Sequence, residues 1–578
     1  MVVKALACDF DGTLASEDRL HPDALEALVR AREAGLRIIL VTGRTFFELT
    51  RVCERLDLFD AVVAENGAVL YFPASAIIRD QGPPPPNRLL AELDRRGIAY
   101  QVGRVIVGVA RGDEPAVREA LAAAGVSRDV IHNRARLMLL PAGVSKGRGA
   151  ERIFQTLGLS FHDVMGLGDA ENDLDLFRAC GWTGCPGDAV DALKEQADWV
   201  FPGEDGQAIA SAITGPILQG LLPVHRSLRH RIGIGWVVET SELVAIPARG
   251  VNVLITGDPL SGKSWLAGAL VERLLEARYA VCVLDPEGDY RVLARLPGVS
   301  WAEIHDEAGM ARALARFDGD PSACVVADLS LLPRERKPQV IEAALALIRE
   351  RRRRRGTPHW VVLDEAHDAL GRGAVPDLAA AIADKGFCLA TYRPRRLGDA
   401  VADGIDVFIV GRTTAPEEMA FLGAALGRGL GSDAPTAALP DLPAGEFLVV
   451  QPDQAGRWTP MTFVAPPRQT AHVRHRKKYA DCRVPVERRF LFRRPEGQMV
   501  AEAESLQAFR RAVLAADDAV LGYHAGRGDF SRWVLDVFSD RELARQLRKA
   551  EARWRREEVT ALRSVIDRLI TFRYGAEP

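Results

Sequence analysis

The chain has 578 residues, 48% hydrophobic and 26% charged, with 75 Lys+Arg against 78 Asp+Glu and a net charge of −3. At roughly 100–200 residues per domain this corresponds to about three to five domains, and the balance excludes a uniformly basic nucleic-acid coat while leaving local basic faces open. Eight Cys without a CxxC pair exclude a disulfide scaffold and give no zinc-ribbon signal. The opening MVVKALACDFDG lacks signal-peptide order, and no stretch approaches about 18 apolar residues, so a cytoplasmic chain without a membrane partner is expected.

In chain order, VVKALACDF, LRIILVTG and DAVVAENG are short apolar runs of the buried-strand kind, and Pro22–Ala34 shows helical spacing of Leu25, Leu28 and Val29. Such alternation predicts βαβ units on a parallel sheet. After Gly82 the pattern changes. Pro83–Pro86, an amphipathic Arg88–Arg96, YQVGRVIVGVA, a helix around Pro115–Ala124 and RARLMLLP predict a small α+β insertion. HDVMGLGD resumes the first pattern, which closes near Thr214. A second βαβ series begins near Ile232 with VNVLITG, YAVCVLD, ACVVADLS, HWVVLDEAH and FCLATY. Between Arg468 and Arg494 ten Lys+Arg stand against two Asp+Glu, and residues 466–578 carry 24 basic and 16 acidic side chains, so the two ends differ in charge. Met499 to Tyr574 reads as mostly helical. The predicted fold is α/β: two doubly wound parallel-sheet domains plus a mostly helical C-terminal domain. The expected boundaries are a first core at 1–81 and 143–214, its insertion at 82–142, a second domain at 215–465, a basic linker at 466–498 and the helical domain at 499–578.

Asp9-Phe10-Asp11-Gly12-Thr13 ends the first strand, where open α/β sheets bind ligands. Two Asp two residues apart can converge there, one attacking a phosphoryl group and the other handling the leaving-group proton. Attack by an anion on an anionic ester requires neutralisation, which suggests Mg2+ and a Lys. Alone, DxDG reads equally well as an Asp-Gly turn. It is joined, however, by Thr42-Gly43-Arg44 after the second strand, by Lys146 in GVSKGRG and by Asp169, Asn172 and Asp173 in GLGDAENDLDLF. This order resembles the haloacid dehalogenase superfamily of phosphohydrolases over residues 1 to about 214, including AENGA at Ala64–Ala68. The single insertion resembles the compact cap of its Cof-like, sugar-phosphatase and archaeal phosphoglycolate phosphatase branch. The resemblance implies Asp9 as nucleophile and metal ligand, and Asp11 as general acid and base with its carbonyl on Mg2+. It implies Thr42 and Lys146 on the phosphoryl group, Asp169 and Asp173 as metal ligands, and Asn172 in support. Arg44 is left between a phosphate contact and surface charge. A small phosphorylated substrate, phosphosugar or phosphoglycolate-like, is the implied partner.

Gly257-Asp258-Pro259-Leu260-Ser261-Gly262-Lys263-Ser264 fits GxxxxGK[ST] between a strand pattern and a helical one. Backbone N–H groups and the helix start would cradle phosphates there, with Lys263 on the β/γ-phosphates and Ser264 on Mg2+. HWVVLDEAH ends a strand with Asp364, which would hold that Mg2+ through water, and Glu365, which would polarise the attacking water. With DPEGDY, ATYRPRR, FIVGRTTAPEE and LPAGEFLVV, this region resembles the HerA/FtsK-type ATPases over about 225–465. The resemblance implies bound ATP, Glu365 as catalytic glutamate, and an arginine acting across a homo-oligomeric ring, with Arg393, Arg395, Arg396 and Arg412 as open candidates. Tyr392 departs from the family's Gln.

Two motifs carry less. Arg351–Arg355 reads first as a solvated helix end and second as a phosphate-backbone contact. Tyr523-His524 and Arg527–Trp533 read as a helix-turn-helix junction, with Gly528 breaking, Asp529 or Ser531 capping and Trp533 packing. Tyr479, Phe490 and Phe492 read as strand packing, and the Cys as core. The leading functional expectation is a phosphomonoester hydrolase fused to an ATP-binding and ATP-hydrolysing domain. The alternative is a HerA-like nucleic-acid motor with an end-processing phosphatase; a kinase–phosphatase pair and an ATP-driven assembly switch rank below it.

Overall fold

The structure, a computed structural model, describes residues 3–574 apart from 17, 134–135, 222–229, 334, 370–375, 431–434, 454–455, 471–483, 485, 539 and 559–560. Tyr479, Cys482 and much of the basic stretch lie outside the described residues; the seven described Cys are all buried.

The first sheet has eight strands in the order Trp199–Phe201, Trp182–Pro186, Val164–Leu167, Ala5–Cys8, Arg37–Val41, Ala61–Ala64, Val69–Phe72, Ile77–Asp80. The first six run parallel, and the last two are added by antiparallel pairing, each to the strand before it. Alternate side chains of a strand face opposite ways. Leu6, Cys8, Ile38 and Leu40 pack with Ala24, Ala27, Leu28 and Ile209 of the helices Pro22–Glu33 and Asp205–Ala212. Ala5, Ala7, Ile39 and Val41 pack on the other face with Ala150, Ile153 and Phe154 of the helix Lys146–Leu157. The sheet is thus covered on both sides, as its apolar strands require.

The insertion forms its own four-stranded antiparallel sheet, ordered Asp129–Asn133, Arg136–Leu140, Val107–Ala110, Tyr100–Val102. Leu89 and Leu93 of the helix Asn87–Arg95 and Val117 and Leu121 of the helix Glu114–Ala123 cover it.

The second large sheet has eleven strands. Its parallel part holds Val253–Thr256, Phe387–Thr391, Trp360–Leu363, Val281–Asp285, Cys324–Asp328 and Val299–Glu303, with Val407–Val410 parallel to the first of these. Antiparallel strands Glu446–Pro452, Trp458–Val464, Arg231–Val237 and Leu243–Pro247 extend one side. Val299–Glu303 was not legible in the sequence, because VSWAE is an edge strand whose residues are only partly buried.

The C-terminal part departs from the helical expectation at its start. Phe490–Arg493 pairs with Met499–Ala503 as a hairpin, so the expected boundary at 498/499 falls inside a paired unit. Phe490 and Phe492 share one core with Phe509, Phe530 and Trp533 of the helices that follow. His524 donates from Nδ1 to Asp529 (2.8 Å) and accepts at Nε2 from the Arg493 N–H (2.9 Å). It ties the hairpin to the junction at Gly528, where the chain turns with φ 69°.

The two large sheets meet at the amino-terminal ends of their strands. Asp163, just before Val164–Leu167, accepts from Arg249 (2.8 Å) and from Nε2 of His359 (3.3 Å), which just precedes Trp360–Leu363. His359 Nδ1 accepts from the Ala280 N–H (2.9 Å), so its proton sits on Nε2. His162 donates to the Ala277 carbonyl (2.8 Å) and stacks on Tyr279 at 3.6 Å. Arg352 does not behave as a solvated helix end. It donates to the carbonyls of Pro358, Lys385, His359 and Gly386 at 2.7–3.1 Å, and so holds together the segments that lead into the strands Trp360–Leu363 and Phe387–Thr391. Arg353 and Arg354, by contrast, are exposed beside Glu350. Strands rise about 3.3 Å per residue, so the carboxyl-terminal edges, where both sequence motifs sit, lie roughly 15–20 Å from this junction in each sheet.

Candidate active sites

Register brings the first motif set together. Cys8 pairs with Leu167 and Leu40, so Asp9, Thr42 and Asp169 leave three neighbouring parallel strands at one edge. The carboxylates of Asp9, Asp169 and Asp173 are buried, with ligand atoms within 4.8 Å of one another. Lys146, the first residue of its helix behind the N-cap Ser145, places Nζ 2.7 Å from both Asp9 and Asp173. Asp173 also accepts from the N–H groups of Asp169 and Ala170, each at 3.1 Å. Burial, reinforced by Asp173 and Asp169, holds the Asp9 carboxyl well above its ordinary range, against the pull of Lys146. Burial also opposes the Lys146 charge, but Asp173 and Asp9 outweigh it and raise its pKa. Three carboxylates with one ammonium leave excess negative charge in a dry site, and an all-oxygen donor set of this kind suits a hard divalent cation such as Mg2+.

The Asp11 carboxylate is not among the three clustered ones, and the metal contact expected of Asp11 is through its carbonyl; Arg44 grips the carboxylate, with Nε 2.8 Å from Oδ2, and also pairs with Asp18. Arg44, left between a phosphate contact and surface charge, here pairs with two carboxylates. Thr42 is fully buried, with Oγ1 accepting from the Arg44 N–H (3.1 Å). Asn172 donates to Asn66 (3.4 Å). Thr13, to which the sequence reading gave no role, donates to Asp169 (3.0 Å); its place in DFDGT was the available signal.

The second motif set gathers at the carboxyl edge of the other sheet. The loop leaves Val253–Thr256 through Gly257 (φ 145°) and enters the helix Lys263–Glu276 through Gly262 (φ 105°), conformations open to glycine alone at low cost. Lys263 donates to the Asp258 carbonyl (2.9 Å) across the loop, and Ser264 is the helix's second residue. Asp364 and Glu365 follow the strand Trp360–Leu363, two strands away from Val253–Thr256. Glu365 has φ 45° and lies 3.3 Å from His367 Nδ1, which is 3.0 Å from Thr391 Oγ1. Thr256 Oγ1, Ser261 Oγ and Asp364 Oδ2 are buried without hydrogen-bond partners among the described residues. Such orphaned atoms beside a glycine-framed loop fit a site for phosphates and a metal. Asp285, at the end of the strand beside Asp364's, accepts four backbone N–H groups at 2.8–3.3 Å. Burial still pushes its carboxyl up to about 8.

Of the arginine candidates, Arg412 touches the loop through its backbone, its carbonyl accepting from the Asp258 N–H (2.6 Å). Arg393 lies over the Tyr392 ring at 5.0 Å, and Arg395 and Arg396 are exposed. Among the described residues, no helix is long and apolar enough to cross a membrane.

A family model for haloacid dehalogenase-like hydrolases matches residues 6–86 and 120–213, and one for the central domain of helicase HerA matches 254–369. A phosphoglycolate phosphatase of Methanothermobacter thermautotrophicus is 31% identical over 228 residues, 36% of this chain and 97% of that protein. One of Halorubrum lacusprofundi is 31% identical over 209 residues, 34% of this chain and 91% of that protein. The crystal structure of a haloacid dehalogenase-like hydrolase from Bacteroides thetaiotaomicron covers 37% of this chain and 98% of its own, at 19% identity and a TM-score of 0.34.

Proposed function

The chain belongs to the haloacid dehalogenase-like hydrolase family, and from that premise we propose that it is a Mg2+-dependent phosphomonoesterase for a small phosphorylated metabolite of the phosphoglycolate or phosphosugar class. The observation that carries this reading is the buried cluster of Asp9, Asp169 and Asp173, with Lys146 between two of them. Asp9 attacks the phosphorus, the ester bond breaks, and an aspartyl-phosphate forms. Asp11 gives a proton to the departing alcohol oxygen, then takes one from the water that hydrolyses the acyl-phosphate. Thr42 and Lys146 hold the transferring oxygens. The Asp9, Asp169 and Asp173 carboxylates and the Asp11 carbonyl would hold Mg2+, whose charge offsets that of the phosphoryl group. The excess negative charge around Asp9 makes this electrostatic help a requirement.

The second site serves ATP in the same proposal. Gly257, Gly262 and Lys263 take the phosphates, Ser264 and Asp364 hold the accompanying Mg2+, and Glu365 orients the attacking water. The orphaned Thr256, Ser261 and Asp364 atoms support this reading. A homo-oligomeric ring through this domain belongs to the reading and is checked by light scattering. We assign residues 1–81 and 143–214 to the phosphatase core, 82–142 to its cap, 215–465 to the ATPase domain, and 484–578 to the C-terminal unit.

The test is phosphate release from a panel of phosphorylated metabolites and end-phosphorylated oligonucleotides, with Mg2+ or chelator, with and without ATP. Mg2+-dependent cleavage of small metabolites is expected. Activity confined to oligonucleotide ends and rising with ATP overturns the substrate class.

A further inference from the structure

Between the strands Ala61–Ala64 and Val69–Phe72 the chain passes through Glu65, Asn66 and Gly67, with φ of 56°, 52° and 98°. Two consecutive non-glycine residues in this region are rare and persist only where their surroundings over-determine them. The surroundings here are specific. Glu65 is completely buried, and its carboxylate accepts four backbone N–H groups: Phe46 (3.3 Å), Arg104 (2.8 Å), Val105 (2.9 Å) and Ile106 (3.2 Å). Three of these belong to the cap, in the turn between its strands Tyr100–Val102 and Val107–Ala110. The fourth opens the core helix Phe46–Val52, directly after Arg44-Thr45.

The backbone of the same residues grips the phosphoryl-binding segment. The Glu65 N–H donates to the Arg44 carbonyl (2.9 Å) and the Asn66 N–H to the Thr42 carbonyl (3.1 Å). Asn66 Oδ1 accepts from Asn172, next to Asp173. Gly103 leaves the carboxylate its space: a Cβ there would lie 2.6 Å from Glu65 Oε1. A buried carboxylate satisfied only by amides of two separate structural units holds those units in fixed relation, because moving either strands a charge away from water.

We propose that Glu65 is a positioning residue for phosphoryl transfer: it latches the cap to the Thr42–Phe46 segment, so that cap placement over Asp9 and the placement of Thr42 and Arg44 are set together. This rests on the phosphatase reading above. A substrate held by core and cap at once depends on the latch, whereas one with a generic leaving group depends on it far less.

The full chain is compared with Glu65→Gln and Gly103→Ala. Glutamine offers one carbonyl oxygen and turns an NH2 toward the amide donors; alanine at 103 keeps the carboxylate but displaces the turn. Hydrogen exchange at the 104–106 amides is expected to quicken by about tenfold or more in both variants, since glutamine removes an acceptor oxygen and alanine moves the amides off the carboxylate. The kcat/KM for a sugar phosphate is expected to fall by about 10- to 100-fold through misplacement of reacting groups. The loss for p-nitrophenyl phosphate is expected to be smaller by about tenfold. Unchanged exchange at 104–106 overturns the latch, and equal losses on both substrates reduce Glu65 to a structural role. Should Glu65→Gln not fold, Gly103→Ala decides alone. Exchange needs no turnover, so a wild type inactive on both substrates defeats the phosphatase reading separately from the latch.

Discussion

At the Asp9 edge, charge is met in part from within the protein: Lys146 lies between two carboxylates, and the Asp169 and Ala170 amides hold one of them. At the Gly257–Ser264 loop, buried hydroxyls and a carboxylate oxygen have no partner among the described residues. The contrast reflects two kinds of preorganisation. The first site stores a fixed electrostatic field for a reacting group, so its residues depend on one another for stability. The second is a backbone cradle in which three buried oxygens, those of Thr256, Ser261 and Asp364, are left for a ligand. The junction at Asp163 lies behind both, and neither site faces the other, so communication between them must run through strands and not through a shared cavity.

This contrast can be broken at either site. Asp9→Asn removes the nucleophile and is expected to cost at least about 10³-fold in phosphatase kcat, while ATP turnover is retained; phosphatase turnover that persists ends the Asp9 assignment. Lys146→Ala strands two buried carboxylates and is expected to destabilise the chain by about 3–5 kcal/mol in chelator. A denaturation midpoint unchanged from wild type contradicts the interdependence described for this site. At the second site the expected effect runs through ligand. MgATP at about 100 times its Kd adds roughly 2.7 kcal/mol of stability, and Lys263→Ala abolishes that gain without lowering the ligand-free Tm; an equal MgATP shift in the variant refutes the loop's role.

The junction gives a smaller, pH-dependent effect. Burial holds the imidazoles of His162 and His359 below their ordinary value of 6.5, despite the pull of Asp163. Below 6.5 the unfolded chain binds protons that the folded chain refuses. Stability is therefore complete above 6.5 and falls as pH drops, by about 1.4 kcal/mol per pH unit for each histidine. Asp163, where Arg249 and His359 outweigh burial and hold its carboxyl at about 2, adds stability above its unfolded value near 3.8 that is lost only in stronger acid. His162→Gln is expected to flatten the slope of Tm between pH 6.5 and 4.5 by about half, given two comparable groups; an unchanged slope removes His162 from the effect.

Much of this was legible in the sequence. Buried parallel strands announce themselves as short apolar runs, and the Asp9 and Asp169 motifs follow such runs; grouping Lys146 and Asp173 with them came from the order of motifs that resembles the haloacid dehalogenase superfamily. What stayed hidden depends on partners remote in sequence. Arg44 turns to Asp11 and Asp18, Glu65 reaches the cap turn at 104–106, and Arg352 caps carbonyls at 358–359 and 385–386. Within a run of five arginines nothing local distinguishes Arg352 from its neighbours. The hairpin at Phe490–Ala503 was masked because one of its strands, MVAEA, is mostly exposed and lacks clean alternation.

The most direct test traps the covalent intermediate. The chain is mixed with a phosphorylated metabolite that it hydrolyses and Mg2+, quenched in acid within the turnover time, and mapped by peptide mass spectrometry. Phosphate on the peptide carrying Asp9, absent in Asp9→Asn and unaffected by Lys263→Ala, is the expected result. Sustained turnover with no phosphate on Asp9 would contradict the proposed mechanism outright.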